Sequence, residues 1–473
     1  MRYKFVDKKN FSEWYSWINK EAGLVDLRYG VKGFPVILPN AAKTIKLMYQ
    51  TWESILEADD HRPVIFPAVI PEHYLNKETE HVEGFKPEVF WITHGGETPL
   101  EERLALRPTS ETAFYPMYSL WIQGKADLPL KLYQSVQVWR YETKATRPFF
   151  RTREFWWIET HCAFATKEEA LAQVRKDMDN TRKMLWDELS IPFVFFRRPQ
   201  WDKFAGAVDT YAADTLMPDG RFLQLPSTHY LGTGFAKAFG IKFRDSDGEL
   251  KYAHQTCHGP PLTRTFGALV SIHGDDKGLV LPFKYAPVQV VVIPIWTDEN
   301  RARIKEYIES IDLPYRMVKD YRDRTPGWKF YDWELKGVPF RIEVGQKEVD
   351  NQTYTVVRRD GTKFHGVRNL HTFFEEAIRE YDQWLKQRAE AYFKSMVVET
   401  DDLNKALAAV SEGKAARIPF CSIGRDGEAC AARLKEKGIT VRGEPVDSPK
   451  PEGKRCPVCG REAMVYVYVG RQY

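Results

Sequence analysis

Residues 138–161 read VWRYETKATRPFFRTREFWWIETH, a stretch that crowds arginines, carboxylates and aromatic rings together. Wound as a helix, it scatters its charges around the barrel. Read as two strands joined by a loop, it sorts them, because side chains alternate faces along a strand. Val138, Arg140 and Glu142 then share one face before the loop. After it, Arg151, Arg153, Phe155, Trp157, Glu159 and His161 share one face. Fixed cations, a flat ring and polar groups on one sheet surface suit a small ligand with a negative end and a planar end. A nucleotide has both.

The surroundings extend that reading. From 104 to 283 the texture is mostly of strands rich in aromatics, with a helical segment near 167–189 (KEEALAQVRKDMDNTRKMLWDEL). Strands and helices without regular βαβ alternation predict an α+β domain built on an antiparallel sheet. Upstream, Ile45, Met48, Trp52, Ile55 and Leu56 recur at helical spacing and predict an amphipathic helix. The following RPVIFPAVI is β-branched but broken by Pro67, which favours an edge or interface strand. Near residue 286 the pattern changes. APVQVVVIPIW reads as a buried strand, ENRARIKEYIESI as a helix, FRIEV and YTVVRR as strands, and HTFFEEAIREYDQWLKQRAEAYF as a long helix. The expected division is 1–285 for the antiparallel-sheet domain, 286–395 for a compact α/β domain, and 396–473 for a small C-terminal α/β domain.

The totals bound the class. A chain of 473 residues with 43% hydrophobic and 14% aromatic residues fills more than one core and is globular. The net charge of +4 is close to balance, so composition alone does not announce nucleic-acid binding. No run of about 18 apolar residues predicts a membrane span, and the first twenty residues lack the apolar region of a signal peptide. Six cysteines in so long a chain do not make a disulfide scaffold, so the expected compartment is the reducing cytosol.

Four of those cysteines, Cys421, Cys430, Cys456 and Cys459, fall in the last 53 residues, the last two as CPVCG. A C-x2-C knuckle followed by glycine turns backbone amides toward the thiolates, and four thiolates satisfy tetrahedral zinc. The eight residues between Cys421 and Cys430 make the first pair looser, and free thiols or a redox pair at Cys456 and Cys459 are the alternatives. With every ligand supplied by protein, such a site supports a fold rather than a reaction.

RPTSET at 107–112, VWRYET with FFRTREFWWIETH, and LTRTFGALVSIHGDDKGLVLP at 262–282 together resemble the class II aminoacyl-tRNA synthetases. With GWKFYDWELKGVPFRIEVG at 327–345 and the cysteine-bearing tail, the whole chain is similar to the prolyl-tRNA synthetases of archaeal and eukaryotic type. The resemblance implies an antiparallel catalytic domain, an α/β anticodon-binding domain, a C-terminal zinc-binding domain and a homodimer. It implies ATP and L-proline as substrates, tRNA(Pro) as acceptor, Mg2+ as cofactor and a structural Zn2+ on the four tail cysteines.

Residue by residue, the resemblance gives Arg140 and Glu142 as the arginine–glutamate pair that grips the α-phosphate and the adenine amino group. It places Arg151, Thr152, Phe155, Gln224, Ser227 and Arg264 on ATP, with Arg140 and Arg264 the catalytic arginines. A guanidinium suits oxyanions because its planar fork stays charged and makes paired contacts. Read without the family, Arg140 with Glu142 is also a plain salt bridge, and Arg264 a charge at a helix end. The proline pocket maps onto Thr109, Glu111, Arg140, Trp157, Glu159, His161 and His229. Proline carries a secondary ammonium with two N–H bonds and an apolar ring; Glu111 and Thr109 can take the hydrogens, and Trp157 can wall the ring. Glu334 and Lys347 lie in segments the family uses near the anticodon guanines, though both also read as exposed surface charges. The terminal Tyr473 is expected to tuck near the active site.

Three further readings follow. Only about 110 residues separate Glu154 from Arg264, which leaves no room for the large editing domain of bacterial-type enzymes and predicts mischarging with alanine or cysteine. Cys162 and Cys257, beside His161 and His258, raise an active-site zinc of the kind threonyl enzymes use. Adjacent strand residues face opposite ways, which sets His161 against Cys162. A non-catalytic, RNA-binding relative is the alternative from another class; such chains lose the ATP-binding arginines that stand here.

Overall fold

The computed structural model describes residues 6–81 and 88–473. Its centre is one eleven-stranded sheet. The strands, in chain order, are β1 (Arg62–Pro63), β2 (Leu130–Trp139), β3 (Glu154–Phe164), β4 (Val194–Arg197), β5 (Asp209–Leu216), β6 (Arg221–Gly232), β7 (His254–Gly259), β8 (Val397–Glu399), β9 (Ala415–Phe420), β10 (Thr440–Pro445) and β11 (Val465–Gln472). They lie in the order β8-β9-β11-β10-β4-β5-β6-β7-β3-β2-β1. From β4 to β2 every pairing is antiparallel, as the sequence predicts for the domain that opens the chain.

Local pattern explains the central strand. Along β3, Ile158, Cys162 and Phe164 point to one side, where they join helix-covered cores, while Phe155, Trp157, Glu159 and His161 point to the other. Three helices cover that first side: α1 (Pro39–Glu57), α2 (Lys167–Arg182) and α3 (Leu262–His273). The periodic apolar residues of α1, Ile45, Met48, Trp52 and Leu56, are buried with Phe266 and Leu269 of α3. Tyr49 of α1 also donates to the Trp157 carbonyl at 3.0 Å, which ties helix to strand. The expected helix at 167–189 is α2 continued by a wider π-helical turn at Lys183–Glu188. The run RPVIFPAVI divides around Pro67 into β1, the outermost strand of the sheet, and a strand at Val69–Pro71 in a separate three-stranded sheet.

After residue 286 a second sheet takes over. Its five strands run in the order 317–319, 290–294, 340–344, 354–358, 363–367, the first three parallel and the rest antiparallel. Helix Leu370–Ser395 buries Phe374, Ala377, Tyr381 and Leu385 in that unit's core. The remaining strands then return to the large sheet: β10 pairs with β4 through Glu444↔Arg197, and β11 runs parallel to the start of β6 through Phe222↔Gln472. The C-terminal unit thus extends the sheet of the first. Among the described residues no helix is long and apolar enough to cross a membrane.

Candidate active site

The polar face of β3 forms the floor of a cavity of about 520 Å³. Across it, β7 and β6 set Cys257 and His229 in register with His161, so three strands present side chains side by side. Gly259 at the end of β7 admits the indole of Trp157; a Cβ there would stand 3.3 Å from the ring. The start of helix Glu111–Trp121 and the segment before it close one end with Glu111 and Thr109, both buried.

The inner end is dense in fixed hydrogen bonds. Thr109 Oγ1 donates to Glu111 Oε2 at 2.6 Å. Glu159 accepts from Ser110 Oγ and, at 3.0 Å, from Gln134 Nε2, and its other oxygen lies 3.1 Å from His161 Nε2. Burial opposes ionisation of Glu159, but His161, Ser110 and Gln134 outweigh it and hold the carboxyl below its usual range. His161 Nδ1 meets the Tyr115 hydroxyl at 3.2 Å. His229 lies between Thr210 and Ser227, at 2.9 and 3.0 Å, and burial, then the nearby Arg198, lowers its pKa to about 3. It is neutral at any physiological pH.

The outer end is cationic. Arg140 donates from Nε to the Pro108 carbonyl at 3.1 Å, and its guanidinium lies 5.2 Å from the Phe155 ring and 5.6 Å from Trp157. Arg264 stands in the first turn of α3, where a cation opposes the helix dipole. It donates to the carbonyls of Phe150 and Gln224, both at 3.2 Å. Burial, then Arg140 and Arg151, lowers its pKa to about 10, so it keeps its charge at neutral pH. Cations held together against their mutual repulsion form a site for a polyanion.

The structure corrects the strand reading in two places. β2 ends at Trp139 and β3 begins at Glu154, so Arg140, Glu142, Arg151 and Arg153 stand beyond the strand ends rather than on one strand face. The Arg140 N–H still pairs across to the Arg153 carbonyl at 2.9 Å, but the Glu142 N–H turns back to the Arg140 carbonyl at 2.7 Å, which ends the ladder. Glu142 still lines the cavity, with Gln224, Ser227 and Phe155. Arg151 stands 3.7 Å from Glu142. Thr152 is not among the lining residues; its hydroxyl donates to the Glu154 carbonyl at 2.6 Å.

Cys162 faces away from the cavity, with its Sγ 3.4 Å from His61 Nε2. Cys257 does face it, but the ring nitrogens of its cross-strand neighbours His161 and His229 are already hydrogen-bonded as described, and its sequence neighbour His258 meets Thr181 Oγ1 at 3.1 Å through Nε2. Among the described residues the metal-type groupings are the four tail cysteines and Asp59–His61–Asp177. The ligand atoms of Cys421, Cys430, Cys456 and Cys459 all lie within 4.8 Å of one another. Burial raises the Cys459 thiol, but Arg461 outweighs it and brings it down to about 6. Four converging thiols, one already acidic, fit a tetrahedral Zn2+.

Glu334 and Lys347 sit at opposite ends of strand Phe340–Val344. Glu334 lies 3.4 Å from Arg341 near its start, and Lys347 lies in the exposed first turn of helix Gln346–Asn351 beyond its end. Tyr473 packs behind the cavity rather than lining it. Its ring is 5.0 Å from Phe150, whose carbonyl holds Arg264, and its hydroxyl donates to Asp219 at 2.6 Å. Sequence reasoning missed Ser110, Gln134 and Arg198. Ser110 lies inside the RPTSET block and was within reach; the other two carry no local signal.

A sheet of this topology, with Arg140 over an aromatic floor and Arg264 in the first turn of a buried helix beside it, defines a class II aminoacyl-tRNA synthetase. Residues 90–273 match the tRNA synthetase class II core domain (G, H, P, S and T), 289–376 the anticodon binding domain, and 403–473 the C-terminal domain of prolyl-tRNA synthetase. The chain is 53% identical to the proline–tRNA ligase of Thermofilum pendens over 98% of both chains. It superimposes on the Giardia lamblia prolyl-tRNA synthetase in complex with prolyl-adenylate with a TM-score of 0.95 at 36% identity, covering 99% of each. For the Cryptosporidium parvum enzyme complexed with halofuginone and AMPPNP the values are 0.93, 32% and 99% of each. The chain belongs to the proline–tRNA ligase family.

Proposed function

We propose that this chain activates L-proline with ATP and passes it to tRNA(Pro). The observation that carries the reading is the joining of two unlike ends in one cavity: Arg140 and Arg264, with Arg151 in electrostatic reach, at the outer end, and Glu111 with Thr109 at the inner end. The first suits a triphosphate and the second a secondary ammonium. Phe155 would stack on adenine and Glu142 accept from its amino group, with Gln224 and Ser227 beside the nucleotide and Thr152 supporting the loop that carries Arg151.

Proline's carboxylate is ionised near neutral pH, so no side chain has to deprotonate it. Its oxygen forms a bond to the α-phosphorus as the bond to the β-phosphate breaks, giving prolyl-adenylate and pyrophosphate. Arg140 aligns carboxylate and α-phosphate, and Arg264 neutralises charge growing on the leaving group. The terminal ribose hydroxyl of the tRNA then attacks the proline carbonyl carbon, and AMP leaves. Mg2+ would be held by phosphate oxygens and water, with at most one or two protein carboxylates.

The division 1–285, 286–395 and 396–473 is retained as a functional one. The middle unit would read the anticodon, where Glu334 can accept from guanine N–H groups and Lys347 can donate to its O6. Elements between Glu154 and Arg264 include strands β3 to β7 of the core sheet, which supports the absence of an editing domain. Zn2+ on the tail cysteines would be structural. A homodimer is the assembly the family resemblance implies, and strand β1 is the edge of the sheet it would use. ATP-dependent charging of a tRNA(Pro) transcript with labelled proline tests the reading; no charging by folded, zinc-loaded protein overturns it.

A further inference from the structure

Beneath the cavity two arginines share one carboxylate. Asp214 on β5 is fully buried and binds Arg198 through both oxygens, Nη2 at 2.6 Å and Nη1 at 2.9 Å. Its second oxygen also accepts from Nε of Arg442 at 2.8 Å, with Nη2 of the same guanidinium at the same distance in the ion pair. Arg198 Nη1 donates in addition to the Arg442 carbonyl at 2.7 Å. Arg198 belongs to the first unit, whereas Arg442 lies on β10 of the C-terminal unit and is braced by Gln472 on β11. The pairings of β10 with β4 and of β11 with β6 fix that approach.

Arg198 then reaches the cavity. Its Nη2 meets the side-chain oxygen of Gln224 at 2.9 Å, and Arg198 itself is part of the lining. A guanidinium has only donors, so the Gln224 amide must turn its oxygen to Arg198 and keep its two N–H bonds for the cavity. The backbone carbonyl of the same residue is held by Arg264 at 3.2 Å. Gln224 is therefore fixed at both its main chain and its side chain by arginines. The cluster also has two guanidiniums for one carboxylate, a buried surplus of positive charge that a bound polyanion would offset.

We infer that Arg198, held by Asp214 and by Arg442 from the C-terminal unit, is a positioning residue that presents the Gln224 amide as a donor to the nucleotide. The C-terminal unit is in this sense part of the ATP site, through a side chain rather than through its terminus or its cysteines. The inference rests on the reading of the cavity as an ATP site, and it concerns ATP rather than proline.

The test uses the full-length, zinc-loaded protein with Arg198→Lys, Arg442→Met, Arg442→Lys and Gln224→Glu. Calorimetry with β,γ-imido-ATP gives nucleotide affinity without any reaction, and pyrophosphate exchange gives KM for ATP and for proline. Arg198→Lys and Arg442→Met are expected to weaken the analogue by about tenfold or more and raise KM for ATP to match, with KM for proline within about twofold. Arg442→Lys should recover part of the loss. Gln224→Glu keeps the arginine cluster intact but puts an acceptor where the donor belongs, so it should weaken the analogue even if the other variants fold poorly. Normal analogue binding by Gln224→Glu, or by folded Arg198→Lys and Arg442→Met, overturns the inference; so does an equal rise in KM for proline. A wild-type protein that binds the analogue yet exchanges nothing with proline overturns the proposed function, while the affinity comparison still decides this inference.

Discussion

The Thr109 hydroxyl donates its hydrogen bond to Glu111 Oε2 at 2.6 Å, so its oxygen remains only as an acceptor. Beside it stands the second oxygen of Glu111, which makes two acceptors for the two N–H bonds of a secondary ammonium.

Glu111→Gln therefore removes the negative partner of a buried cation. KM for proline should rise by about 10²–10³-fold in pyrophosphate exchange while KM for ATP moves little. Equal changes in both would show that Glu111 serves the fold of the cavity rather than proline.

Arg264 works against the dipole of the helix it opens, which sets activity against stability at one position. Arg264→Ala should lower kcat by about 10²–10³-fold and leave thermal stability unchanged or slightly higher. A large loss of stability with activity retained would contradict this.

Asp177 on α2 is fully buried, and that burial raises its pKa to about 7, against hydrogen bonds from Gln173 and Thr228, with Asp59 and Lys131 close by. The folded state thus holds a proton that the unfolded chain releases above its ordinary carboxylate pKa. This group's contribution to stability falls as pH rises through the window from about 4 to about 7, by up to about 1.4 kcal/mol per unit. Asp177→Asn should flatten that slope in denaturant unfolding at several pH values. An unchanged slope places the buried proton elsewhere.

The tail cysteines should bind one Zn2+ per chain by elemental analysis, and Cys456→Ser should remove most of it. Because β10 and β11 pair with β4 and β6, metal loss should also weaken nucleotide binding. Full activity and normal unfolding of metal-free protein would deny the zinc a structural role.

On the proposed reading Trp157 and His229, both in the cavity lining, wall the proline ring, and apolar size differences discriminate by only about 1–3 kcal/mol. Measurable exchange with alanine or cysteine follows, at roughly 10–10² times lower kcat/KM than proline. Its complete absence would mean the inner hydrogen-bonded end discriminates more strongly than the walls.

What the sequence discloses and what it hides divide along the reach of local pattern. Phe155, Trp157, Glu159 and His161 were legible as one face because the strand period is local, and helix α1 because its apolar spacing is. The ends of β2 and β3 were not, since the backbone turn at Glu142 follows from the Glu142–Arg140 hydrogen bond rather than from polarity. Most hidden was the joining of Asp214 to Arg442, 228 residues apart, through strands that read as a separate C-terminal unit. The roles proposed for Glu142, Arg151 and Arg264 rest on resemblance, because an isolated arginine beside a glutamate has many ordinary uses.

The central claim is that one cavity couples a triphosphate to proline. ATP–pyrophosphate exchange without tRNA, run separately with each of the twenty amino acids, tests it most directly. Exchange strongest with proline, and abolished in Arg140→Ala, is the expected result. Exchange strongest with another amino acid, or none at all from folded protein, would contradict it.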